Sequence, residues 1–309
     1  MKKILGVVFL LASLCELSAQ QLPQFTNYML NDYVLNPALT GAKEDFEVKA
    51  DYRQQWVGIT DAPVTYYLSA NGPILSKNMG LGGYVYNDVT GPTKRLGLSF
   101  SYAYHAKLTE KVKLSLGLSG GLLQYSIDGS QILTHDQSDP ALTNLIQTTL
   151  VPDFGFGAII RSDKYYIGFS VPQMYQNKVN FTGVTTAASS LLTRHYYVSA
   201  GYNYNVNENV KIEPSFMLNM SPPAPAQMSF NLRVTYKKQY WAGLGYRSGD
   251  AIPFMVGYTW SDFLMFAYAY DAVISGLHTY TSGSHELMVG IKFKSRAKTE
   301  TPAVPTAIQ

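Results

Sequence analysis

RLGLSFSYAYH, residues 95–105, splits into two sets at alternate positions. Leu96, Leu98, Phe100, Tyr102 and Tyr104 form one set, and Gly97, Ser99, Ser101, Ala103 and His105 the other. Successive side chains of a strand point to opposite faces, so this segment reads as a strand with one apolar face. The same alternation runs through KVKLSLGLSGGL (111–122), MSFNLRVTY (228–236) and HELMVGIKFK (285–294). A soluble sandwich also alternates. Its wet face, however, carries more charge than Gly, Ser and Ala supply. Small and polar residues behind an apolar face suit the crowded interior of a transmembrane barrel, with the apolar set facing lipid.

Composition points the same way. Charged residues make up 15% of the chain, against roughly 25% in soluble domains. Tyr is abundant at 24 residues. MKKILGVVFLLASLCELSAQ (1–20) has a basic start, an apolar run from Ile4 to Leu14 and a small-residue exit at Ser18 and Ala19. It reads as a secretory signal peptide, cleaved after Ala19 or Gln20 and too short for a stable bilayer anchor. Leu14 stands where a lipobox before Cys15 needs a small residue, so no lipid anchor is expected. Cys15 is the only cysteine, so the exported chain holds no disulfide. Removing the leader leaves 22 basic and 20 acidic residues. That weak balance excludes nucleic acid as the main partner.

Fourteen strand candidates follow: 45–56, 64–72, 79–88, 94–106, 111–126, 152–161, 164–171, 193–206, 209–220, 226–237, 239–247, 252–259, 262–270 and 284–294. Most suit the roughly 9–11 residues of a tilted membrane strand. Links after even-numbered candidates are short, such as TEK, SDK, NEN, KKQ and WSD, while 127–151 and 172–192 follow odd ones. Outer-membrane barrels show this asymmetry between periplasmic turns and external loops. The expected fold is all-β: a transmembrane antiparallel barrel of about 14 strands over 45–294, with a polar tail at 295–309. Tyr165–Tyr166, Tyr196–Tyr197, Trp241, Trp260 and Tyr270 lie near strand ends and suit aromatic girdles.

No catalytic constellation emerges. The five His are scattered without metal-ligand spacing. His278 with Ser275, or His285 with Ser284, would place a base near a hydroxyl at the outer rim, but abundant serine makes chance adjacency the simpler account. His135, Asp136 and Asp139 read as a solvated acidic loop before a calcium site. GLGGY (80–84) lies inside a strand with no helix following, so it relieves crowding and binds no phosphate. The expectation is no enzyme and no cofactor.

Residues 21–44 precede the barrel. A lumen of about fourteen strands is too wide for wall side chains to fill alone. Phe25, Tyr28, Met29, Tyr33 and Leu35 would pack in it as a plug, with Asn27, Asn31, Asp32 and Asn36 pairing to wall groups; a loose periplasmic lead-in is the other reading. A lone Arg in a lumen wants a partner, and Arg53 with Asp32 is one candidate pair. The Asn36-Pro37-Ala38 block, Tyr52-Arg53-x-Gln55-Trp56-x-Gly58, Ala62-Pro63-Val64-Thr65 and Asn87-Asp88-x-x-Gly91-Pro92 recur in this order in one family. In them the chain resembles the PorP/SprF outer-membrane proteins of the type IX secretion system in Bacteroidetes.

The resemblance implies a non-catalytic role in secretion and surface anchoring of large adhesins with a type B C-terminal domain, and in some relatives gliding motility. It implies peptidoglycan-linked periplasmic partners as well, in an outer membrane whose lipid surrounds the barrel. Phe25, Tyr28, Asn36, Pro37, Gly41, Tyr52, Arg53, Gln55, Trp56, Gly58 and Pro63 are the expected inner core. Asp128, His135, Asp136, Asp139, Gln173, Tyr175 and Asn180, on the long loops, are the expected partner contacts. A passive channel or hydrophobic-solute transporter is the alternative. A folded adhesin domain is too wide for such a barrel and would pass beside it.

Overall fold

The computed structural model describes residues 22–74, 78–132, 146–179 and 190–294. The expected signal peptide, 1–20, and the expected tail, 295–309, lie outside them. Fourteen antiparallel strands form the wall. They are β1 (Phe46–Gln54), β2 (Val64–Ile74), β3 (Met79–Thr90), β4 (Thr93–Lys107), β5 (Lys113–Asp128), β6 (Ile146–Arg161) and β7 (Tyr165–Val171). After the longest loop come β8 (Tyr196–Tyr202), β9 (Val210–Met220), β10 (Gln227–Tyr236), β11 (Tyr240–Arg247), β12 (Ala251–Trp260), β13 (Leu264–Val273) and β14 (Ser284–Phe293). Each pairs with its neighbours in sequence, and β1 pairs with β14 from Phe46↔Phe293 to Gln54↔His285. Closure removes every edge, which hydrocarbon requires because it offers backbone groups no partner.

The two faces sort as the alternation predicts. In β4, Phe100 is 60% exposed while Ala103 and His105 are buried. Leu118, Ile167, Phe230 and Val256 join Phe100 on the outer face. β6, expected to start at 152, already starts at Ile146, and β5, expected to end at 126, ends at Asp128, so the loop between them shrinks to 129–145. Hydrogen bonds continue along both, from Lys113↔Arg161 to Asp128↔Ile146. Tyr197, buried beside Tyr28, departs from the girdle expectation, and so does Trp241. Trp241 is buried in the lumen with Leu30, Met255 and Met265, because its position in β11 points inward. Trp260 is exposed.

Gln173, Asn177 and Leu192, between β7 and β8, are turned inward. Leu192 is buried in a cluster with Tyr67, Tyr86, Leu123, Tyr125 and Val151, against which Phe25 packs. Among the described residues no helix is long and apolar enough to cross a membrane, which says nothing of crossing by strands.

Candidate functional site

Residues 22–45 thread the lumen from the long-loop mouth to the short-turn end and there enter β1. Leu22 donates its N–H to His195 Nε2 at 3.3 Å, and Gln24 bonds Gln227 at 2.7 Å, both at the loop mouth. Farther down, Tyr28 Oη meets Ser215 Oγ at 3.1 Å and Tyr33 Oη donates to the Gly83 carbonyl at 2.6 Å. Asn36 caps the 3-10 turn Pro37–Leu39, its Oδ1 accepting from Ala38 N, with Pro at the first position where no N–H is needed. At the turn end His105 bridges Ser115 Oγ at 2.7 Å and the Thr40 carbonyl at 3.0 Å, and Asn71 accepts from Gly41 N. Residue 22 thus lies at the long-loop mouth, so the segment lines the lumen as a plug would and not as a loose lead-in at the short-turn end.

Close approach needs glycine. Gly41 has φ +62°, and a β-carbon on it would lie 2.5 Å from the Gly72 carbonyl oxygen. A β-carbon on Gly80 would overlap the Thr40 carbonyl, and one on Gly117 the Pro37 carbonyl. The segment thus lies flush against β2–β7, and within GLGGY it is Gly80 that makes room for its backbone.

The strongest contacts form a latch near the loop mouth. Glu286 accepts two successive backbone N–H groups, from Thr26 and Asn27, each at 2.7 Å. The Thr26 hydroxyl donates to Asp271 at 2.9 Å and accepts from Arg53 Nη1 and Arg247 Nη2, each at 2.8 Å. Arg53 also bonds Asp271 at 2.7 Å and Glu286 at 3.0 Å, and Arg247 bonds Asp271 and Asp250 at 3.0 Å. Thr26, Arg53, Arg247, Asp271 and Glu286 are all buried. The two buried cations meet the two buried anions, Asp271 and Glu286, with the less buried Asp250 beside Arg247, and each of these charges keeps hydrogen-bond partners, as burial demands. Arg53 therefore pairs with Asp271 and Glu286, not with Asp32, which lies farther along the segment beside a separate cavity.

Other expected residues scatter. Phe25 meets Tyr67 edge-on at 5.1 Å between ring centroids. Tyr52 faces outward and packs on Tyr66, since it alternates with Asp51 and Arg53. Gln55 bonds Pro63 backbone to backbone at 2.9 Å, and Val57 pairs with Gly283 and Ser282, tying the first outer loop to the last. Trp56 and Gly58 take positive φ in that loop, 47° and 104°. Asp128 caps the turn Gly129–Gln131 through Ser130. Tyr175 is exposed, whereas Gln173 is buried and offers no contact surface. His135, Asp136, Asp139 and Asn180 lie outside the described residues. His285 Nδ1 meets Tyr268 Oη, while Ser284 Oγ accepts from Trp56 N, so these neighbours form no nucleophile–base pair. Among the described residues no group of three or more His, Cys, Asp and Glu is arranged to hold a metal.

Thr26, Arg247, Asp271 and Glu286 escaped sequence reasoning. For Arg247, Asp271 and Glu286 the one signal is charge at a strand position whose alternation faces the lumen, which does not say which distant strands meet; Thr26 lies in no strand and carries no such signal.

The barrel is similar to a FadL homologue of Pseudomonas aeruginosa, with 12% identity, 89% of this chain and 95% of that one covered, and a TM-score of 0.50. It also aligns with Acinetobacter baumannii Omp33, with 8% identity, 82% and 100% covered, and a TM-score of 0.49. At such identities the likeness concerns fold alone. No curated protein matches. The family model "Type IX secretion system membrane protein PorP/SprF" matches residues 17–291. With the four motif blocks, the closed barrel and that match in agreement, the chain belongs to the PorP/SprF family of type IX secretion membrane proteins, seated in the outer membrane.

Proposed function

We propose that this type IX secretion component acts without catalysis, supporting secretion and cell-surface anchoring of large adhesin-type substrates that carry a type B C-terminal domain. The observation behind this reading is the latched segment. A lumen threaded by its own chain and held by buried ion pairs suits a rigid receptor better than a conduit. Substrate then passes beside the barrel. The external loops around Asp128 and Tyr175 meet the adhesin, and the turn end faces peptidoglycan-linked periplasmic partners.

The test is a mild-detergent pull-down of the tagged protein from outer membranes of its host, read by mass spectrometry. Recovery of a large secreted adhesin or of other type IX components is expected. A folded barrel that comes down alone, reproducibly, overturns the anchoring role and favours a channel or hydrophobic-solute transporter.

A further inference from the structure

The segment leans on one side of the lumen and leaves the other side open. A cavity of about 580 Å³ lies between it and β8–β14, with residues of β1, β6 and β7 at its sides, a volume in the usual range of ligand sites. Tyr28, Leu30, Ile159, Met217 and Trp241 line its deep part. Turn residues Ser162, Asn207, Glu208 and Lys238 line its mouth, so it opens at the periplasmic end.

Its charge is unbalanced. Seven cations and four acids line it. The Glu47 carboxylate is shared by Lys43 at 3.1 Å, Lys49 at 2.6 Å and Lys292 at 3.8 Å. Glu213 is shared by Lys211 at 2.7 Å and Arg233 at 2.9 Å. Lys43, Lys211 and Lys292 keep 47%, 39% and 33% of their side-chain surface exposed, so each cluster can accept a further carboxylate. Asn203, Asn205, Asn207 and Asn209 stand together on the β8–β9 turn at the entrance. Asn203 Nδ2 already donates to the Asp163 carbonyl and Asn207 Oδ1 accepts from two backbone N–H groups, while the Asn205 and Asn209 amides bring both donors and an acceptor, as a peptide backbone requires.

We propose that this cavity is a socket for an acidic peptide presented from the periplasm, its carboxylates on the two cation clusters and its apolar side chains against Ile159, Met217 and Trp241. A small solute would use the apolar depth but not the amides of the turn. The inference needs the barrel's orientation but not the secretion role, so either can fail without the other.

Trp241 is a built-in reporter. With Trp56→Phe and Trp260→Phe it becomes the only tryptophan of the chain. The experiment titrates that full-length variant, in nanodiscs, with acetylated and amidated ELELE, QLQLQ, or octanoate. A saturable Trp241 fluorescence change with ELELE is expected, about tenfold weaker with QLQLQ, as loss of charge-assisted contacts gives. Lys43→Gln with Lys292→Gln should weaken ELELE by a similar factor while the heat-modifiable gel mobility of the barrel stays unchanged. Should that pair misfold, Lys211→Gln alone serves, since Arg233 still holds Glu213. Equal responses to the two peptides, no saturable response, or a response to octanoate alone overturns the proposal.

Discussion

Arg53 carries the latch because a buried cation tolerates no empty partner. Arg53→Met strips Glu286 of its guanidinium partner and should cost about 3–5 kcal/mol, the usual penalty for breaking a buried pair from one side. Urea unfolding of the barrel, followed by gel mobility, measures it, and charge reversal at Asp32 should restore nothing. Thr26→Val keeps the shape but removes a hydroxyl that serves three charged groups, and about 1–3 kcal/mol should be lost. His195 adds a pH dependence. Burial holds its imidazole down to about 4, against an ordinary 6.5. Its Nδ1–H faces the Thr193 carbonyl at 3.0 Å, which leaves Nε2 to accept from Leu22. The docked state favours the neutral ring, so docking is at full strength above pH 6.5 and weakens as pH falls from there towards 4. Protection factors at residues 22–26, which correct for the slower intrinsic exchange at low pH, should fall over that window, and His195→Gln should flatten the fall.

At the scale of elements, the lumen segment depends on a wall that leaves it room. Gly80→Leu and Gly117→Leu place side chains where the Thr40 and Pro37 carbonyls lie. Both should expel the lower half of the segment while the β-ladder survives, because strand pairing does not pass through it. A cysteine introduced at Ala38, buried at 0% exposure in the wild type, should then react with a periplasmic maleimide at a rate well above the parent. An unchanged rate would mean that the segment yields locally without leaving. Alternation revealed these strands because lipid enforces it on every outward position. The ends of β5 and β6 were hidden, since above the bilayer lipid no longer selects the outer face and the alternation fades.

At the scale of the whole molecule, the barrel closes and its own N-terminal segment threads it. In planar bilayers the wild type should show no steady conductance, and deletion of residues 22–44 should produce step-like openings. Steady wild-type conductance would return weight to the channel reading.

The barrel, its strand count and its family were legible in the chain alone. These rest on local alternation, loop length and short motifs, all written within a few tens of residues. Tertiary structure alone decided the direction of the lumen segment, the partners of Arg53 and the one-sided cavity. Arg53 and Asp271 are separated by most of the chain yet lie 2.7 Å apart. Alternation tells each residue which face it takes, but only closure of the sheet says which residues share a height across the lumen. The glycines that seat the segment and the charges that latch it find one another only once the last strand pairs with the first.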